Sequence, residues 1–386
     1  MRAPLVDGFG RVHTDLRLSL TDRCNLRCTY CMPAEGLDWL TKPELLTDEE
    51  LVRLVGVLAS MGVRTVRLTG GEPLLRRGLP GLISRLAALD VALSLTTNGV
   101  GLERQAVALR EAGLRRVNVS LDSLRPDRFL TLTLRDRHDD VLKGLAAAKA
   151  AGLEPVKVNT VLMRGVNDDE AGELLDWALA EGYALRFIEQ MPLDPQHGWD
   201  RGTMVDADEI LQVLGRDHVL TPVPARGSAP AEEFLVDGGP ATVGVVGSVS
   251  RPFCGACDRL RLTADGQVRN CLFATEESDL RAPLRAGASD DELAVALRAA
   301  IAGKKKGHGI GEPDFVQPDR PMSAIGGWLY RPDTWRFPAV AGLAVELAGL
   351  RGPACAGLDA SARLLAIARD RSPAADLRVG DVHELL

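Results

Sequence analysis

Residues 16–33 read LRLSLTDRCNLRCTYCMP. The first five, rich in leucine with polar residues between, suit a β-strand. Three cysteines follow on a short loop, Cys24, Cys28 and Cys31, spaced C-x3-C-x2-C with no fourth nearby. Closed metal sites commonly take four protein ligands. Three thiolates can instead hold three corners of a cubane iron–sulfur cluster and leave one iron open to a small molecule. The competing reading is a structural zinc site with a distant fourth ligand, His13 among the candidates.

Outward from this loop the pattern repeats. Strand-like runs stand at 16–20, 65–71, 92–98, 116–121, 155–162 and 184–191, dominated by Val, Ile, Leu and Thr. Helical stretches lie between them. Thr47 with Glu50 forms a capping-box pattern before LVRLVGVLASMG, and Gly62 suits the helix stop. LERQAVALREAG and DDVLKGLAAAKAAG repeat the arrangement. Strands alternating with helices predict a parallel sheet with right-handed crossovers, and six such units predict an open, partial barrel. The chain divides on this reading into a barrel at 1–191, a Pro- and Gly-containing region at 192–327 and an appendage at 328–386. DDELAVALRAAIAGKKKG, 290–307, predicts an amphipathic helix with a solvated basic end.

A second cysteine triad, Cys254, Cys257 and Cys271, has the spacing C-x2-C-x13-C. A zinc ribbon with a His or Asp ligand is the plain alternative. The DRLRL that follows places Arg259 and Arg261 on one face of an extended run. Such a face suits a polyphosphate or a purine edge, although a solvated strand face explains it too.

The chain has 386 residues, 46% hydrophobic and 26% charged, as expected of a soluble globular protein. Aromatic residues make up 4% and the formal net charge is −7, which argues against a nucleic-acid binder. No basic–apolar–small leader or long uncharged apolar stretch is present, so no membrane role is expected and the cytoplasm is the expected compartment. There, clustered cysteines hold metals or do redox chemistry more often than they form disulfides.

With Tyr30 before the third cysteine and GGEP at 70–73 one strand later, the loop resembles the radical S-adenosylmethionine (SAM) superfamily. The order and spacing of VRLTGGEPLLRR, LSLTTNG, VNVSLDSL, VKVNTVLMRGVND, LRFIEQMPL, FCGACDRLRLTADGQVRNCLF and RPMSAIGG narrow the resemblance. Over about residues 5–327 the sequence is similar to the GTP 3′,8-cyclases of molybdenum cofactor biosynthesis. The resemblance implies an α/β fold, a partial (β/α)6 TIM-like barrel with a C-terminal extension carrying a second cluster. It implies two 4Fe–4S clusters, on Cys24, Cys28 and Cys31 and on Cys254, Cys257 and Cys271. Tyr30, Gly71, Ser120 and Met191 would line the SAM site. Arg17, Arg67, Thr96, Lys157, Arg259, the backbone of Leu260 and Arg261 would bind GTP, and the open iron of the second cluster would bind guanine. No further catalytic side chain is assigned. The implied reaction takes hydrogen from ribose C3′ and joins C3′ to guanine C8.

The implied partners are an electron donor such as flavodoxin or ferredoxin and a downstream cyclic pyranopterin monophosphate synthase, with the enzyme a monomer or homodimer. Another radical SAM enzyme with an auxiliary cluster, one modifying a peptide for example, and a non-catalytic zinc protein are the other readings. Arg76 and Arg77 read as helix-start surface charges. Asp122 and Ser123 fit a turn or a ribose contact, and His197 and His308 receive no role. In the family a diglycine closes the chain, whereas here Gly326 and Gly327 run on into Trp328. Residues from about 340 resemble a fragment of a class I SAM-dependent methyltransferase, with Asp359 and Asp381 at strand ends and Cys355 incidental. Its expected Gly-rich loop is absent.

Overall fold

The LRLSL run becomes β1 (Asp15–Ser19). The computed structural model describes residues 2–318 except 195 and 225, residues 320 and 322, and short strands at 356–359 and 376–379. The chain divides into two compact units, Met1–Tyr330 and Arg331–Leu386.

In the first unit, β1 leads through the cysteine loop to α1 (Asp48–Ser60) and β2 (Thr65–Thr69). Thr47 caps α1 as its sequence predicts: Glu50 N donates to Thr47 Oγ1 at 3.2 Å, and Thr47 N donates to Glu50 Oε2 at 2.8 Å. The alternation continues through α2 (Leu79–Ala87), β3 (Ala92–Thr97), α3 (Ala106–Glu111) and β4 (Arg116–Ser120). It then passes α4 (Pro126–Thr133), α5 (His138–Ala150), β5 (Val156–Val161), α6 (Ala171–Glu181) and β6 (Ala184–Ile188). The predicted single helix over 102–113 is instead a 3-10 turn, Leu102–Arg104, followed by α3.

The second half of this unit supplies α7 (Ala207–Leu214), β7 (Leu220–Pro222), β8 (Glu232–Val236), β9 (Thr242–Val246) and β10 (Arg259–Leu262). It ends with β11 (Gln267–Arg269), β12 (Ser278–Asp279), α8 (Arg281–Arg285) and α9 (Asp290–Ala302). All these strands join one sheet, ordered β12-β11-β10-β1-β2-β3-β4-β5-β6-β9-β8-β7. The six predicted parallel strands stand in chain order, as an open (β/α) barrel requires. At each end a strand from the later region extends the parallel run: β10 pairs with β1, and β9 with β6. The barrel and the second cysteine region therefore share one sheet.

Leucines and valines of these strands, among them Leu16, Leu18, Val66, Leu68 and Leu95, are buried against the helices. The opposite faces carry the polar residues that build the site. Among the described residues no helix is long and apolar enough to cross a membrane.

In the second unit β13 (Ala356–Asp359) and β14 (Asp376–Val379) pair in parallel, Ala356 opposite Asp376. The predicted strand-end Asp359 closes β13. Gly326, Gly327, Trp328, Cys355 and Asp381 lie outside the described residues.

Candidate active site

Two constructions meet at the barrel, one on the loops after β1 and β2, the other on β10 and its flanks. The first-triad loop is tied to the end of α4: Arg27 N donates to Thr133 O at 2.8 Å and Thr29 N to Leu132 O at 2.9 Å. Cys31 N donates to Cys28 O at 2.8 Å, closing a turn that carries both thiols. Asn98 Nδ2 approaches Cys24 Sγ at 3.8 Å.

The GGEP turn is laced to this loop. Gly71 N donates to Thr21 O at 2.9 Å and Glu72 N to Arg23 O at 2.7 Å. A Cβ on residue 71 would collide with the carbonyl oxygens of Asp22 and Arg23, so only glycine lets the two loops approach this closely. Glu72 is fully buried. Its carboxylate accepts from Thr97 Oγ1 at 2.7 Å, Leu74 N at 3.0 Å and Asn98 N at 2.7 Å. Burial lifts its pKa to about 7 against those donors. Glu72 thus pins the ends of β2 and β3 beneath the cysteine loop.

Burial pushes the Cys24 thiol up to about 11, with Glu72 adding to the effect. Cys28 is pushed well above its ordinary value, first by burial and then by Cys31, Asp122 and Cys24. Bare thiols here resist ionisation, and bound cationic iron reverses that logic because a coordinating thiol is deprotonated. Among the described residues no group of three or more His, Cys, Asp and Glu is arranged to hold a single metal ion. Cys24 and Cys31 lie close enough to Cys28 to raise its pKa further, a proximity that a cubane, which spreads its thiolates over separate irons, can use. Tyr30 Oη donates to Asp122 Oδ2 at 2.7 Å, and Asp122 Oδ1 accepts from Val161 N at 2.9 Å. Ser123 is bound to Glu170. Asp122 and Ser123 are thus both engaged in internal hydrogen bonds in this structure.

The second triad opens onto a cavity. Cys254, Cys257 and Cys271 line it together with Arg17, Arg67, Arg259, Arg261 and Met191. Register explains the gathering. Arg17 of β1 stands opposite Arg261 of β10 on one side and Arg67 of β2 on the other. Three guanidiniums from three adjacent strands therefore share one row, and Arg259 lies two residues along the same face. Leu260, between the two arginines, is buried.

These cations are poorly neutralised. Arg17 has Asp15 at 3.0 Å. Arg67 Nε and Arg259 Nη2 are buried with no hydrogen-bond partner. Burial and the neighbouring Arg17 push Arg67 well below its ordinary range. Burial, Arg17 and Arg259 bring Arg261 down to about 9. Lys157 falls to about 8 through burial and the charges of Arg186, Arg116 and Arg67, with Glu233 opposing. Cations held this close with so little counter-charge suit a polyanion.

Thr96 and Lys157 flank the cavity-lining Asn118 in register on β3, β4 and β5. Tyr30, Gly71, Ser120 and the first triad do not line this cavity.

Some site residues escape sequence reading. Arg186, Asn118, Asn159 and His308 all line the cavity. The sequence signal for the first two is the alternation in LRFIEQM and VNVS, which places them on the inward face of their strands. Lys304 corrects the expectation of a solvated KKK end. It is 4% exposed, its Nζ 3.4 Å from Cys257 Sγ and 2.7 Å from Arg259 O. Arg76 is likewise no loose surface charge. It donates to Leu20 O at 2.6 Å and Leu46 O at 3.1 Å and pairs with Asp48 at 2.5 Å.

A parallel β/α crescent, with a three-cysteine loop after its first strand and a glycine turn after its second, defines a radical SAM protein. Residues 18–178 match the Radical SAM superfamily and residues 183–310 match Molybdenum Cofactor Synthesis C. The chain is 66% identical over 328 residues to the GTP 3′,8-cyclase of Streptomyces coelicolor, covering 84% of this chain and 96% of that one. Identity to the GTP 3′,8-cyclase of Mycolicibacterium smegmatis is 59% over 332 residues, covering 84% and 92%. The chain belongs to the GTP 3′,8-cyclase family of radical SAM enzymes, and it accordingly uses a 4Fe–4S cluster and SAM. Among solved structures, Streptococcus suis SuiB bound to S-adenosylmethionine superposes with a TM-score of 0.53 at 13% identity, over 76% of this chain and 68% of that one. That likeness concerns the fold alone.

Proposed function

We infer that this protein converts GTP to 3′,8-cyclo-7,8-dihydro-GTP, the first step of molybdenum cofactor biosynthesis. The observation that carries the reading is one cavity lined by a cysteine triad and by five arginines, Arg186 among them. Arg17, Arg67, Arg259 and Arg261 bind GTP, together with Lys157, Thr96 and the backbone of Leu260, the arginines serving its triphosphate. A triphosphate satisfies the orphaned guanidinium atoms and relieves the mutual repulsion of these cations.

Cys24, Cys28 and Cys31 hold the first 4Fe–4S cluster, and Tyr30, Gly71, Ser120 and Met191 line the place of SAM. Cys254, Cys257 and Cys271 hold a second 4Fe–4S cluster, whose open position takes the guanine base. When bound, the first cluster and SAM supply the radical that removes a hydrogen from ribose C3′. The residues of the chain position the substrate and exclude water, since a misplaced radical would attack whatever hydrogen lay nearest. The barrel at 1–191 and the region at 192–327 act together, and the 328–386 appendage takes no part. The electron comes from a small donor such as flavodoxin or ferredoxin. The product passes to a cyclic pyranopterin monophosphate synthase, and the working enzyme is a cytoplasmic monomer or homodimer.

The test is anaerobic. Protein reconstituted with iron and sulfide receives dithionite, SAM and GTP. The expected products are 5′-deoxyadenosine and a cyclised nucleotide. Zinc instead of iron and sulfide after anaerobic purification, or 5′-deoxyadenosine with no change in GTP, would overturn the reading.

A further inference from the structure

Asn118 is the feature that the roles above leave unexplained. It sits near the middle of β4 and is 1% exposed. Neither its Oδ1 nor its Nδ2 has a hydrogen-bond partner. Leaving both ends of a buried amide empty is costly, and native proteins rarely do so without a reason. The side chain lines the same cavity as the arginines and the second triad.

What would satisfy it follows from its chemistry. An amide presents a donor and an acceptor side by side. Phosphate oxygens only accept, so a triphosphate would serve Nδ2 and leave Oδ1 bare. The cavity already has its anion partners on β1, β2 and β10. The missing group must donate as well as accept, as a hydroxyl does. Two other polar linings are occupied. Asn270 Nδ2 donates to Ala300 O at 2.9 Å. Both ring nitrogens of His308 are engaged, with Ser248 O at 2.9 Å and Ile310 N at 3.0 Å.

We propose that Asn118 is a substrate-binding residue whose amide grips the hydroxyls of the ribose. The inference rests on the GTP reading and deepens it. The arginine row fixes the phosphate end of the nucleotide, and Asn118, two strands further round on β4, fixes the sugar. A sugar held at a single end could turn, whereas one held by its hydroxyls presents one face. A site built to hydrogen-bond a hydroxyl also rejects analogues that lack it.

The test is equilibrium binding to anaerobically reconstituted full-length protein without SAM, so that nothing turns over. Calorimetry compares GTP, 2′-deoxy-GTP, 3′-deoxy-GTP and inosine triphosphate on wild type, Asn118→Ala and Asn118→Ser. Wild type is expected to prefer GTP over at least one deoxy analogue by about tenfold. In Asn118→Ala, GTP binding weakens by about the same factor and the preference disappears. Asn118→Ser, which keeps a small donor and acceptor, retains part of both and guards against a variant that fails to fold. An unchanged preference in both variants overturns the proposal. So does loss of the preference for GTP over inosine triphosphate in place of the sugar preference, since that places the amide on the base. Wild type that binds no GTP fails differently, because the functional reading itself then falls.

Discussion

Glu72 is a fully buried carboxylate, and three donors converge on it, two from the end of β3 and one from the turn after β2. Replacing it with alanine strands Thr97 Oγ1, Leu74 N and Asn98 N at once. Each stranded buried group costs roughly 1–3 kcal/mol, so Glu72→Ala should lose about 3 kcal/mol or more in denaturant unfolding. Glu72→Gln keeps an acceptor and should lose less. An equal loss in both variants would mean that volume, not hydrogen bonding, is what residue 72 supplies.

Lys304 belongs to the same scale. Its ammonium lies against Cys257 Sγ, and hydrogen bonds and charge at cluster sulfurs help to set a cluster's potential. On the two-cluster reading, Lys304→Met should lower the reduction potential of the second cluster and leave the first unchanged. Potentiometric titration followed by electron paramagnetic resonance separates the two. A shift in both clusters, or in neither, would count against a local role for the lysine.

At the scale of elements, His218 joins α6 to the strand pair β7–β8. Its ring lies 3.1 Å from Asp176 of α6 and 2.8 Å from Asp237, just past β8. Hydrogen bonding to Asp237 leads the causes that raise the histidine pKa. The raised value means that the folded state holds the proton more tightly than the unfolded chain. The stabilisation is therefore fully present below the ordinary histidine value near 6.5 and is lost as pH rises through the raised one. The Tm gap between wild type and His218→Ala should be wider at pH 6 than at pH 9. A gap independent of pH would mean that the ring contributes by packing alone.

Legibility also divides at this scale. The six barrel strands show in the sequence because each is a local run of β-formers between helical stretches. The pairing of β10 with β1 does not show, because Thr14 and Asp258, which meet at its start, are 244 residues apart. No local pattern records such a distance. The cysteines and DRLRL are visible through unusual residue types at tight spacing. Asn118 is not, because one asparagine between valines looks like ordinary strand alternation until both ends of its amide prove empty. Lys304 misleads for the opposite reason: a lysine run normally means solvent, and here its first member turns inward.

At the scale of the whole molecule, the sheet decides which parts are needed together. Residues 328–386 follow the family's usual end and form a separate unit from Arg331 onward. A chain ending at Gly327 should turn over GTP as fast as the full chain or faster, measured as cyclised product per iron. A slower truncated enzyme would assign the appendage a part in catalysis. Ending the chain before β10 has the opposite consequence, because the outer edge of β1 loses its partner and an unpaired edge invites association. Such a fragment should be recovered mainly as aggregate, and a soluble monomer would show that β1 manages without β10.

The same pairing sets a timetable. During synthesis, Cys24, Cys28 and Cys31 leave the ribosome well before Arg259. At ordinary elongation rates the interval is roughly 10–50 s. Throughout it, β1 has no outer neighbour, and the nascent thiols stand beside a half-built wall. The outer edge of β1 is therefore covered only once β10 has emerged and the last parallel strand can close against the first.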